Sequence, residues 1–169
     1  IWDFDGRIIE ANDAFLRIVG YEREDLRSGR LRWTDLTPAE WLDRDLEQSV
    51  PQLKLTGSLQ PFEKEYFRKD GSQVPVLIGA AAFDEECKRG VAFVIDLTER
   101  KQAEEALRRS ETYLADAQKL SQTGSWAWSP EVGIKYWSEE FYRLHGFDSR
   151  DGLPLFEELF QRMHPDDQP

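Results

Sequence analysis

The chain has 169 residues, 40% hydrophobic, 12% aromatic and 33% charged, with 22 basic against 33 acidic side chains and a net charge of −11. That is enough apolar material for a packed core, which excludes wholesale disorder, and the acidic balance argues against nucleic acid and anionic membranes as partners. The lone cysteine, Cys87, forbids an internal disulfide and cannot build a zinc site.

Residues 1–4 and 7–11 are expected to be short strands around the turn Asp5-Gly6. Asn12 is a good N-cap for a helix through Val19, with Phe15, Ile18 and Val19 on one side and Gly20 as its stop. Residues 22–27 should form a short helical turn. Thr37-Pro38-Ala39-Glu40 is a strong helix start: Thr can cap, Pro suits the first turn and Glu can close a capping box. That helix should run towards Ser49, with Pro51 ending or kinking it.

The hydrophobic period then changes. Residues 62–69 read as a strand, Asp70-Gly71 as a hairpin turn, and 73–83 and 90–96 as two more strands joined by the charged loop 84–89. Both faces of the last two strands are apolar. Val74, Val76 and Ile78 alternate with Leu77 and Gly79, and Val91, Phe93 and Ile95 alternate with Ala92 and Val94. A surface antiparallel sheet would show one polar face. The domain's helices can cover one side; the other requires a terminal helix or a partner chain.

The segment 98–118 has no Gly or Pro and is rich in helix formers. Thr98 can cap it, and Glu104–Arg108 and Glu105–Arg109 are favourable pairs four apart. Ala103, Leu107, Ser110, Leu114 and Ala117 are spaced 4, 3, 4, 3. That stripe reads either as a short dimeric coiled-coil seam or as a face packed on its own domain.

An internal repeat organises the rest. NDAFLRIVGYE (12–22) aligns with SEEFYRLHGFD (138–148) at an offset of 126, so that Phe15 matches Phe141, Arg17 matches Arg143 and Gly20 matches Gly146. Trp2 falls on Trp128; one residue further in offset, Gly6 falls on Gly133 and Leu36-Thr37-Pro38 on Met163-His164-Pro165. A repeat this long means two copies of one domain. The second copy stops at the equivalent of about residue 42. Trp126, Trp128, Trp137, Phe141 and Phe147 would belong to a core lacking its closing strands, and are expected to be loosely packed, exposed or borrowed by a neighbour. The chain starts at Ile1 and its single methionine is Met163, so an internal slice of a longer protein is expected.

These motifs resemble the PAS domain family. IIEANDAFLRIVGY (8–21) is similar to its second strand and first helix, and RKDGSQVPV (68–76) to its central hairpin. GVAFVIDLTERKQAEEALRRSE (90–111) is similar to its last strand, its Asp-x-Thr exit motif at Asp96 and Thr98, and the signalling helix beyond. The resemblance implies an α+β fold with a five-stranded antiparallel sheet, helices over one face, and a cavity between them. It divides the chain into a PAS sensor domain at 1–97, a linker helix at 98–119 and the N-terminal half of a second PAS domain at 120–169. Such tandems resemble the input regions of bacterial sensor histidine kinases, and also occur in diguanylate cyclases and other regulators. The implied partners are a second copy of the chain and adjacent PAS and output domains, with no nucleic acid and no direct membrane contact. The longest apolar stretch, 74–83, holds Pro75 and Gly79 and is half the length of a spanning helix, and no signal-peptide pattern opens the chain. A cytoplasmic location follows as the expectation, with anchoring of the parent protein left open.

The residues narrow the chemistry. The first copy has no histidine, and His145 and His164 read as polar surface or cap residues, which argues against His-ligated haem. Cys87 lies in a loop rather than in a helical Asn-Cys-Arg motif, which argues against a cysteinyl–flavin adduct. Non-covalent flavin or a small metabolite stays open, because Trp33 and Trp41 could stack on a planar ligand or simply fill the core. The pocket candidates are Phe15, Ile18, Trp33, Trp41, Tyr66, Ile78 and Phe93. Glu63 and Glu65 share a strand face, and Lys64, Arg68 and Lys69 nearby suggest surface pairing rather than acid–base work. No phosphate-binding Gly-rich loop, Gly-x-Ser-x-Gly elbow or phospho-acceptor histidine is found, so no catalytic role and no metal site are expected. Asp96 and Thr98 are the expected signal-transmission residues.

Overall fold

The computed structural model describes residues 1–83, 88–162 and 166. Cys87 and the Met163-His164-Pro165 stretch lie outside the described residues. The chain divides into two compact units, 1–102 and 103–169.

In the first unit, helix α1 (Asp13–Val19) forms as its end signals dictate. The Asn12 side chain accepts the Phe15 amide at 2.9 Å, and Gly20 closes the helix at φ +71°. Leu16 and Val19 are buried, with Phe15 and Ile18 partly buried beside them. Helix α2 (Arg23–Arg27) is short, and the Asp25 carboxylate accepts the Glu22 amide at 2.8 Å. Helix α3 (Trp33–Leu36) follows.

Helix α4 (Ala39–Arg44) does not use the expected capping box. Pro38 is its N-cap residue and makes no side-chain bond, while the Thr37 hydroxyl donates backwards to the Trp33 carbonyl at 2.7 Å. The helical path then widens into a π-helical turn, Asp45–Ser49, and returns to α-helix in α5 (Val50–Thr56). Pro51 sits in the first turn of α5 and does not end the helical path. An α-helical interior would set its ring against the carbonyl four residues back; the wide turn just ahead of it relieves that clash.

Four antiparallel strands form the sheet: β1 (Trp2–Asp3), β2 (Ser58–Phe67), β3 (Gln73–Ala82) and β4 (Arg89–Asp96), in the order β1-β4-β3-β2. This corrects the expectation of five. Residues 7–11 contribute only the isolated bridges Trp2–Ile8 and Arg7–Arg32. The amides of Ile9 and Glu10 both turn onto the Ile1 carbonyl, at 2.8 and 3.1 Å, so the ladder runs out after Trp2.

Strand alternation separates two faces. Inward lie Lys64 and Tyr66 of β2 and Val74, Val76 and Ile78 of β3, joined by Leu16, Val19, Leu26 and Leu36 from the helices. Val74 and Val76 are fully buried, each contributing about 1.5 kcal/mol or more by leaving water. Outward lie Val91, Phe93 and Ile95, each about half exposed. The Phe93 ring lies over Gly79, where an added Cβ would sit 2.4 Å from the ring.

Helix α6 (Thr98–Ser121) follows β4 directly. Ala103, Leu107, Ser110, Leu114 and Ala117 are all exposed in this chain. Glu105 takes both neighbouring arginines, Arg108 at 2.9 Å and Arg109 at 3.6 Å.

The second unit holds a hairpin of β5 (Trp126–Ser129) and β6 (Gly133–Trp137), then α7 (Glu139–His145), a 3-10 turn (Ser149–Asp151) and α8 (Phe156–Gln161). Helix α7 repeats the end chemistry of α1: Ser138 accepts the Phe141 amide and Gly146 closes at φ +68°. Trp126 and Trp128 are about half exposed. Trp137 is not: it is 4% exposed, among the rings of Phe141 at 4.6 Å, Tyr142 at 5.2 Å and Phe147 at 5.4 Å. The hairpin and α7 therefore bury one tryptophan between them, which the expectation of loose packing did not include. His145 stacks on Phe141 at 4.1 Å, and its Nδ1 lies 3.0 Å from the Phe141 carbonyl.

Candidate functional site: a pocket with a buried ion pair

Between the helices and the inner sheet face of the first unit lies a cavity of about 650 Å³, in the size range of small-ligand pockets. Its apolar wall includes Phe15 of α1, Trp33 of α3, Leu53 of α5, Phe62 and Tyr66 of β2, and Ile78 of β3. Asp45, Ser49 and Lys64 supply polar groups to the same lining.

The local structure explains the polar end. Asp45 and Ser49 begin and end the π-helical turn, and both are buried. The Ser49 hydroxyl donates to Asp45 Oδ1 at 3.2 Å, and Lys64 Nζ donates to Asp45 Oδ2. The Lys64 and Asp45 side chains are 2% and 6% exposed. Strand alternation forces Lys64 inward, since Phe62 and Tyr66 flank it two residues away on the same face. The ammonium also lies 4.7 Å from the Tyr66 ring centroid, within cation–π range. Burial holds Lys64 below the ordinary lysine range, against the pull of Asp45. Burial, and then the Asp45 charge, push the Tyr66 phenol upward, so it stays a neutral O–H donor.

The cavity gathers Phe15, Trp33, Tyr66 and Ile78 from the sequence expectation. Ile18 and Trp41 are not among its lining. Ile18 packs at the core edge, and the Trp41 ring lies 5.7 Å from the Arg44 guanidinium with its Nε1 buried and unbonded. Trp33 instead meets Trp2 edge-on at 6.2 Å and donates from Nε1 to the Asp3 carbonyl at 3.2 Å. The two tryptophans therefore form no stacking slot for a planar ligand. Phe93 borders the cavity along β4, but its ring covers Gly79 on the outer face. Sequence reasoning missed Asp45 and Lys64. The available signals were the period-2 run Phe62, Lys64, Tyr66 and the four-residue spacing of Trp41, Asp45 and Ser49.

At the exit of the sheet, the Thr98 amide donates to Asp96 Oδ1 at 2.7 Å, and the Leu97 amide to the Pro75 carbonyl at 2.9 Å. Asp96 also faces Arg68 at 3.6 Å. Among the described residues the buried Thr98 hydroxyl has no hydrogen-bond partner, so Asp96 does the capping that the sequence assigned to Thr98. Glu63, on the outer face of β2, pairs with Arg100 at 3.3 Å and Lys101 at 3.1 Å in the first turns of α6. Its partners are thus not Lys64, Arg68 or Lys69. Lys64 points the other way, Arg68 meets Asp96, and Lys69 meets Asp25 at 2.7 Å.

A helix-over-sheet pocket with a helix leaving the last strand agrees with the family match, a PAS domain over residues 1–99. The chain belongs to the PAS domain family. It is 41% identical over 103 residues to the hybrid signal transduction protein dokA of Dictyostelium discoideum, covering 61% of this chain and 6% of that protein. It is 30% identical over 128 residues to the C4-dicarboxylate transport sensor protein DctS of Rhodobacter capsulatus, covering 74% and 19%. It is 26% identical over 146 residues to the probable diguanylate cyclase DgcE of Escherichia coli, covering 83% and 13%. The chain thus spans less than a fifth of each of these relatives. The PAS domain is a non-catalytic sensory input module, found in sensor kinases and diguanylate cyclases alike. No described helix of this chain is long and apolar enough to cross a membrane.

Proposed function

We propose that this PAS domain is the input module of a multidomain bacterial signalling protein, a sensor histidine kinase in the first reading. A small ligand or a redox change biases the first domain, and α6 passes that bias to the output. The observation that carries the reading is the sharing of β2 between pocket and output helix. Lys64 reaches into the cavity while its neighbour Glu63 holds Arg100 and Lys101. A shift of a few tenths of an ångström in β2 would be felt on both sides, which is the kind of two-state element a switch requires. Similarity to DctS favours the kinase, and similarity to DgcE supports a diguanylate cyclase as the alternative output.

The second unit is proposed to be the first half of a second PAS domain, on the repeat of end chemistry between α1 and α7. A homodimer joined along the seam from Ala103 to Ala117 is proposed because that stripe is exposed in the chain. A ligand-free dimerisation scaffold is the competing reading, and the same exposed stripe supports it. The parent is placed in the cytoplasm or at its membrane face, with no catalytic role assigned to this chain.

The test is mutation at the exit. Asp96→Ala or Thr98→Ala in the parent protein should uncouple stimulus from output while the domain stays folded by circular dichroism. Loss of folding in both variants would remove the signalling assignment. Sedimentation of the chain with Leu107→Glu and Leu114→Glu should convert a dimer to a monomer; a monomeric wild type would remove the seam.

A further inference from the structure

The cavity carries more information than its size. Lys64 has three N–H donors, is almost fully buried, and finds Asp45 as its only hydrogen-bond acceptor among the described residues. A buried ammonium with unused donors is costly unless something accepts from it. Two of the other donors near the cavity are committed. The Arg23 guanidinium donates to the Ala11 carbonyl and to Asp13, and the Trp33 indole donates to Asp3. Lys64 is therefore the polar point at which an occupant can gain most.

Charge decides the occupant's class. Lys64 and Asp45 cancel, so the polar end is net neutral. A carboxylate or phosphate ligand would set a second anion beside Asp45, whose carboxylate is almost fully buried. A cationic ligand would meet Lys64, and both Asp45 oxygens are already engaged, by Ser49 and Lys64. An uncharged acceptor meets neither penalty. Glu10, Asn12 and Arg23 also line the cavity, while Phe15, Trp33, Leu53, Phe62 and Ile78 form an apolar stretch of its wall that suits an apolar body. Resting on the reading of this cavity as a ligand site, we infer that it takes an uncharged, largely apolar small molecule whose carbonyl or equivalent acceptor bonds Lys64 Nζ. The Tyr66 phenol in the same wall offers a second donor, this one uncharged.

Four probes of matched size separate the terms: 4-phenyl-2-butanone, n-butylbenzene, 3-phenylpropanoate and 4-phenylbutan-2-amine. Binding to the full 169-residue chain is measured by saturation-transfer NMR with titration. The ketone should bind about tenfold tighter than each of the other three, the worth of one good hydrogen bond to a buried charge. In the double variant Asp45→Asn/Lys64→Met, which keeps the site neutral, ketone and butylbenzene should bind within about twofold of each other. Tightest binding by the carboxylate or the amine, or equal binding of ketone and hydrocarbon in the wild type, would overturn the inference while leaving the ligand site standing. No binding of any probe at millimolar concentration to a folded chain would overturn the site and the inference together. The wild-type comparison decides the matter even if the double variant fails to fold.

Discussion

Glu63 and Lys64 are neighbours on β2 that serve opposite sides of the sheet. Lys64 is buried against Asp45 at the cavity, and Glu63 is ion-paired to Arg100 and Lys101 at the base of α6. The backbone between them is one peptide, planar and stiff. Any occupant that moves Lys64 therefore acts within one residue of the contact with α6. The proposal of a sensor rests on this adjacency.

The ion pair itself should be worth much less than its disruption costs. Lys64→Met alone strands Asp45 as a buried, unpaired carboxylate and should destabilise the domain by about 3–5 kcal/mol. Asp45→Asn/Lys64→Met together should recover most of that loss, since two neutral groups need no compensation. Urea denaturation of both variants measures the difference. A double variant as unstable as the single would show that the pair is a main support of the fold.

The pair also predicts a pH dependence. Burial lowers the Lys64 pKa in the folded chain relative to the unfolded one. Between the lowered folded value and the ordinary lysine value of about 10.4, the unfolded chain binds more protons, so stability from this group rises with pH. The cost of the buried charge is fully present below the folded pKa and is relieved above it. The stability of the wild type minus that of Asp45→Asn/Lys64→Met should climb as pH enters the alkaline range. Parallel curves, or a fall, would contradict the assignment.

In their effect on stability, the two residues of the exit motif should separate. Asp96→Ala removes the acceptor of the Thr98 amide and the Arg68 contact, and should cost about 1 kcal/mol. Thr98→Val removes a hydroxyl that has no partner, and should leave stability within about 0.5 kcal/mol of wild type or raise it. Thermal unfolding of the two variants checks the order. A larger loss at Thr98 would restore it as the cap.

Glu63→Gln tests the outer contact. These ion pairs are half exposed, so global stability should change by under about 1 kcal/mol. The effect should appear locally, as faster hydrogen exchange at the start of α6, and unchanged exchange there would show that the contact does not hold the helix start.

What could be read in the sequence was what local chemistry decides. Asn12 and Gly20 bound α1 because a side-chain cap and a left-handed glycine act within a few residues. The alternation along β3 placed Val74, Val76 and Ile78 on one face for the same reason. Tertiary competition decided the rest. Thr37 had a carbonyl at Trp33 to bond, and so did not cap α4. Residues 7–11 had too short a partner to pair as a strand. Trp41 turned to Arg44 rather than to the cavity. The Asp45–Lys64 pair joins residues 19 apart across two elements, and only the π-helical turn and the strand together bring them into contact.

Hydrogen exchange of the 169-residue chain, with and without saturating 4-phenyl-2-butanone, is the most direct test of coupling between pocket and helix. Binding should slow exchange at the cavity lining and also change exchange at residues 96–102. Protection confined to the cavity lining, with residues 96–102 unaffected, would contradict transmission through β2.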